Sequence, residues 1–103
     1  MAFVNIAPAT ATDGGKVATA YVHGYDLAVF CVGDQLYATD RWCPHARGDL
    51  SEGALRGCQL TCNDHGWQFD IATGECLKAS GGRPLSTYPV RVRDGHIQVD
   101  LPE

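Results

Sequence analysis

Long apolar runs are missing from this chain: hydrophobic residues are interrupted well short of the roughly 18 to 20 that a membrane-spanning helix requires, so no transmembrane anchor is expected. The N-terminus, Met1-Ala2-Phe3-Val4-Asn5-Ile6-Ala7-Pro8, lacks the basic start and apolar segment of a secretion signal. A cytoplasmic location is therefore expected. Basic residues are few, eight Lys and Arg against twelve Asp and Glu, for a formal net charge of −4. Nucleic acid is excluded as an expected partner, because phosphates are bound by a basic footprint. An acidic protein is instead steered toward basic patches on other proteins. The five cysteines cannot all pair with one another, and without a secretion signal metal ligation is the first expectation for them. Also absent are a convincing amphipathic helix, an internal repeat and a low-complexity tract.

What is present reads as strands. Lys16 to Val22, Leu27 to Val32 and Gln35 to Thr39 are rich in Val, Tyr, Phe and Leu and are separated by turn residues. Gly33-Asp34 divides two of these runs. Asp94-Gly95 divides Tyr88–Arg93 from His96–Leu101, a dipeptide that readily takes the positive φ angles of a tight hairpin. Thr73-Gly74 predicts a further hairpin after Trp67–Ile71, and Ser51 to Arg56 has room for a helical turn or two. The chain, at 103 residues, is long enough for one domain. Trp42 to about Cys76 differs from both flanks, being rich in loop residues and carrying most of the cysteines. The expected fold is all-β: an antiparallel β-sandwich base from residues 1–41 and 77–103, with a small metal-binding subdomain inserted at 42–76 and Lys78 to Pro84 as a connecting loop.

Two short pairs stand out in that insert, Cys43-Pro44-His45 and Cys62-Asn63-Asp64-His65. Each supplies one thiolate and one imidazole from a tight loop. Four such N and S ligands suit zinc or an iron–sulfur centre. The usual Cys2His2 zinc finger keeps its cysteines in one pair and its histidines in the other. Mixed pairs instead let one iron take both cysteines and the second iron both histidines.

With C-x-H followed, sixteen residues on, by C-x-x-H, the chain resembles the Rieske ferredoxins. The resemblance extends through Asp40-Arg41-Trp42, Leu50-Ser51-Glu52-Gly53, His65-Gly66-Trp67-Gln68-Phe69-Asp70, Thr73-Gly74-Glu75-Cys76 and Tyr88-Pro89-Val90. It implies one Rieske 2Fe–2S cluster on Cys43, His45, Cys62 and His65, with both histidines facing solvent at the tip. Two ferric ions, two sulfides and two thiolates sum to zero charge, so an electron is added more easily than to a four-cysteine cluster.

Departures from the family's respiratory members are informative. Gly48 and Asp64 stand where those members carry two further cysteines, so no disulfide is expected across the cluster loops. Trp67 and Phe69 stand where they carry Ser and Tyr hydroxyls, and fewer donors to the sulfurs lower the potential. The resemblance is thus to the low-potential ferredoxin component of multicomponent aromatic-ring dioxygenases. Such a component accepts one electron from a flavin reductase and passes it to a terminal oxygenase. The alternatives are a small nitrite reductase subunit, a partner of another oxygenase and, from a different class, a structural zinc module.

The chain is expected to be a carrier and not an oxygenase. Beyond the four ligands only His23 and His96 remain, without the spacing of a mononuclear iron site. Both read as surface or turn histidines. Cys31 is expected as a small buried hydrophobe, Cys58 as a non-ligand, and Cys76 as packing under the insert. Trp42 and Trp67 are expected to pack. The docking face is expected around His45 and His65, with Pro44, Ala46, Arg47, Asp64 and Gly82–Pro84 nearby. Gly48 and Gly66 are expected to let backbone N–H groups approach the sulfides.

Overall fold

The computed structural model describes residues 2–44, 48–63, 66–77 and 82–102. Its strands are β1 (Ala2–Pro8), β2 (Ala18–Val22), β3 (Tyr25–Val32), β4 (Gln35–Asp40), β5 (Ala54–Arg56), β6 (Gln59–Thr61), β7 (Gln68–Asp70), β8 (Thr87–Tyr88), β9 (Val90–Arg93) and β10 (His96–Leu101). They form three antiparallel sheets, in the orders β1-β10-β9, β2-β3-β4-β8 and β5-β6-β7. The all-β reading therefore holds. The N-terminal strand β1, unmarked in the sequence by alternation, is held by pairing with β10 and slips register between Asn5 and Ala7.

Strand β3 explains how the layers stack. Successive strand side chains point to opposite faces, and Leu27, Ala28, Val29 and Phe30 are all essentially inaccessible. Leu27 and Val29 enter a core with Ala18, Ala38, Ile97, Val99 and Leu101 of the first two sheets. Ala28 and Phe30 enter a second core with Leu50, Leu60, Phe69, Ile71 and Leu85. A strand covered on both faces needs an unbroken apolar run, which Leu27–Phe30 supplies. Burying each large side chain stabilises by roughly 1.5–3 kcal/mol.

The turns follow their residues. Asp94 and Gly95 both have positive φ, 52° and 76°, as a two-residue I′ hairpin requires. His23 and Gly24 do the same between β2 and β3. At Thr73-Gly74 the Asp70 N–H bonds the Glu75 carbonyl at 2.9 Å and Phe69 bridges Cys76, the expected hairpin.

Two expectations need correction. Tyr88–Arg93 is not one strand: β8 pairs with β4, whereas β9 pairs with β10. Pro89 between them has no N–H to give a ladder, and the chain changes sheets there. Of Ser51–Arg56, expected to form at most a turn or two, only the start is helical: a single 3-10 turn, Leu50–Glu52, gives way to strand β5.

Candidate metal centre

Two loops leave the second core and are closed in the same way. In the first, Trp42 bridges Asp49, the Leu50 N–H bonds the Arg41 carbonyl at 2.7 Å, and the Cys43 N–H bonds the Gly48 carbonyl at 3.0 Å. In the second, Thr61 pairs with Gln68 and the Cys62 N–H bonds the Trp67 carbonyl at 2.7 Å. In both loops the cysteine sits at the base and bonds the fifth residue on. Cys43 and Cys62 are 6% and 1% exposed and share one apolar cluster with Leu50, Leu60 and Phe69. The sequence pairs thus bring their thiols into a common buried environment.

His45 and His65 lie outside the described residues, as do Ala46, Arg47, Asp64 and residues 78–81 of the connecting loop. Among the described residues no group of three or more His, Cys, Asp or Glu gathers about a metal-sized space. Gly66 adopts φ 68°, the left-handed conformation that a side chain disfavours. It turns the second loop back toward Trp67.

Asp49 fastens the first loop. Its Oδ1 accepts from the Ser51 N–H at 3.0 Å, the Ser51 hydroxyl at 2.7 Å and Arg41 Nε at 3.1 Å, while Oδ2 accepts from Arg41 Nη2 at 2.9 Å. This residue was overlooked in the sequence, although Asp49-Leu50-Ser51 is a legible helix-cap signal. The Arg41 hydrogen bond, followed by those from Ser51, holds the Asp49 carboxyl below its usual range. An unfolded chain therefore takes up this proton at higher pH than the folded one. The contribution is complete above the ordinary carboxylate pKa of about 4 and is lost as pH falls through the depressed value. Asp49→Asn is expected to be less stable at neutral pH and to lose part of the acid-side slope. Denaturation at pH 7 and at successively lower pH checks both effects.

Other residues are placed as follows. His23 is an exposed turn residue and His96 is the exposed first residue of β10, with its Nδ1 3.1 Å from the Asp94 carbonyl. Trp67 and Cys76 are partly buried against the second core. Cys58 packs there too, hydrogen-bonded to the Tyr37 side chain, and this bond, then burial, raises the Tyr37 pKa. Cys31 is not the buried hydrophobe expected. It belongs to neither core, is half-exposed at the end of β3, and donates its thiol to the Gly33 carbonyl at 3.3 Å. Trp42 also differs, being 44% exposed. It is held by a hydrogen bond from Nε1 to Asp26 Oδ2 at 3.1 Å and by the Arg41 guanidinium 5.1 Å from its ring centroid.

Comparison with known proteins places these loops in a family. Residues 2–89 match the family model of the Rieske [2Fe-2S] domain. The naphthalene 1,2-dioxygenase system ferredoxin component of Pseudomonas putida is 36% identical over 87 residues, 84% of each chain. The ferredoxin of Sphingomonas yanoikuyae B1 superposes with a TM-score of 0.87 at 30% identity, covering 98% of this chain and 100% of that one. A structure of the complex of reduced oxygenase and oxidized ferredoxin in carbazole 1,9a-dioxygenase matches with a TM-score of 0.83 at 34% identity, covering 94% and 91%.

Proposed function

Since the chain belongs to the Rieske [2Fe-2S] domain family, we propose that it is an electron-transfer component whose one cluster is held by Cys43, His45, Cys62 and His65. The observation that carries the ligand set is the matched closure of the two loops, each with a buried cysteine at its base. These residues fit the group: two thiols in a common apolar cluster would hold one iron, and the imidazole that follows each within the same loop would hold the other. The cluster, when bound, takes up and releases a single electron. Residues 42–76 form the unit that holds it, and the flanks form the base.

The chain's own residues set how that electron is held. The apolar cluster keeps water from the cysteine side, and the hydrogen-bonded loop bases fix where both cysteines stand. Gly48, which is buried, and Gly66, with its left-handed backbone, would let backbone N–H groups approach the sulfurs. Phe69, fully buried beside Cys62 in the same cluster, offers no hydroxyl to stabilise a more negative centre. A low potential follows, roughly −150 mV at the bottom of the Rieske range. Potentiometric titration followed in the visible checks this, and a midpoint above about +100 mV, within the upper part of that range, overturns it.

The proposed partners are a flavin-dependent reductase as donor and a terminal ring-hydroxylating oxygenase as acceptor. The relatives' names as ferredoxin components of dioxygenase systems, and a ferredoxin–oxygenase complex among the similar structures, support this reading. No helix among the described residues is long and apolar enough to cross a membrane. Function in the cytoplasm, where such partners meet their reductant, completes the proposal.

A further inference from the structure

A groove runs along one side of the molecule, beside the first cluster loop. One part, about 440 Å³, is lined by Tyr25, Asp26, Asp40, Trp42 and Tyr88 among others. A second part, about 500 Å³, shares Tyr25, Ser86 and Tyr88 and includes Asp100 and Pro102. Three carboxylates and three aromatic rings therefore line two depressions that share a wall, and no Lys, Arg or His is among the described residues lining them.

The carboxylates are held in place by donors that leave acceptor capacity unused. Trp42 Nε1–H bonds Asp26 Oδ2 at 3.1 Å, and the Tyr88 hydroxyl donates to Asp40 Oδ1 at 2.6 Å. Burial, then the bonded Asp40, pushes the Tyr88 pKa well up, so the hydroxyl stays a donor. The remaining oxygens, Asp26 Oδ1 and Asp40 Oδ2, accept no hydrogen bond among the described residues. Arg41, the chain neighbour of Asp40, is committed to Asp49 through two bonds. Asp100, which lines the second part, is only 9% exposed, and its Oδ1 has no hydrogen-bond partner among the described residues. A buried polar atom left in that state is costly.

We propose that this groove receives the guanidinium of an arginine side chain presented by a redox partner protein. The proposal rests on the carrier reading only in naming that partner. A guanidinium is favoured over an ammonium because it is planar, stacks on aromatic faces and carries five donors for several carboxylate oxygens. Tyr25 and Tyr88 meet edge to face with centroids 5.8 Å apart, which gives the groove a firm aromatic wall. The net charge of −4 is complementary to such a residue. Trp42 is the chain neighbour of Cys43, so an arginine seated here holds its own protein against the first cluster loop.

The test uses the cluster-loaded protein and the peptide acetyl-Gly-Arg-Gly-amide, followed through the ring NMR signals of Tyr25 and Tyr88 at low salt. Saturable shifts are expected, lost when citrulline replaces arginine and reduced at high salt. The double variant Asp26→Asn, Asp40→Asn is expected to bind about tenfold or more weakly, with its visible spectrum and potential as in the parent. Should the double variant fold poorly, Asp26→Asn alone is expected to weaken binding several-fold. No shift, an equal shift with the citrulline peptide, or parental affinity in a folded variant overturns the proposal. Failure of the carrier reading shows separately, as the absence of reversible one-electron reduction.

Discussion

Substituting cysteine for His65 is expected to leave a 2Fe–2S core in a folded protein and to lower its midpoint potential on the order of 100 mV. The reasoning is electrostatic. A neutral imidazole is replaced by a thiolate, so the centre carries one more negative charge before the electron arrives, and addition of that electron is less favourable. Replacing both histidines is in effect the step from a low-potential Rieske centre near −150 mV to a plant-type centre near −400 mV, and one replacement takes about half of it. The second loop tolerates the change because its base, the Cys62–Trp67 hydrogen bond and the buried Cys62, does not involve the substituted side chain. Visible and EPR spectra together with potentiometry provide the measurement. Unchanged spectra and potential remove His65 from the ligand set.

Replacing Gly74 with alanine is expected to cost about 3 kcal/mol of stability, from about 1–2 for the left-handed backbone and about 1–3 for overpacking. Gly74 has φ 84°, and a Cβ there runs into the Leu85 carbonyl oxygen. That carbonyl cannot simply retreat. Leu85 is buried in the second core, and its N–H bonds the Gly74 carbonyl at 2.7 Å. The hairpin after β7 and the segment leading to β8 are thus stitched together. Gly15→Ala is the control, with a similar φ of 84° and nothing within 4 Å of its Cβ. It is expected to cost only the backbone part, about 1–2 kcal/mol. Denaturant unfolding of the two variants checks the difference, and equal losses contradict the contact argument.

Sequence made the strands of the β2-β3-β4 meander legible because Leu27–Phe30 is apolar on both faces and Gly33-Asp34 is a turn. Asp94-Gly95 likewise announces its hairpin through the φ angles it tolerates. β1 was not legible, since it earns its place by pairing with β10, about ninety residues later, and carries no alternation of its own. Pro89 stood in plain view, yet its effect depends on a second sheet lying alongside. At the candidate centre, the spacing of the pairs pointed to Cys43 and Cys62, which the structure brings into one buried cluster. Their matched hydrogen bonds to Gly48 and Trp67 were not legible, because backbone closure leaves no mark on residue type. Trp42 was misread for a related reason: an aromatic next to a ligand suggests core, whereas here its indole N–H is held by Asp26, sixteen residues earlier. Cys31 is a further instance, since it belongs to neither core and its thiol donates to the Gly33 carbonyl.

Elemental and spectroscopic analysis of protein purified without oxygen damage addresses the central claim most directly. Two irons and two acid-labile sulfides per chain are expected, with visible colour and an EPR signal that appears on one-electron reduction. That signal should carry couplings to two histidine nitrogens when histidine is isotopically labelled. Colourless protein containing zinc and no iron, or a reduced signal without histidine nitrogen coupling, contradicts the account.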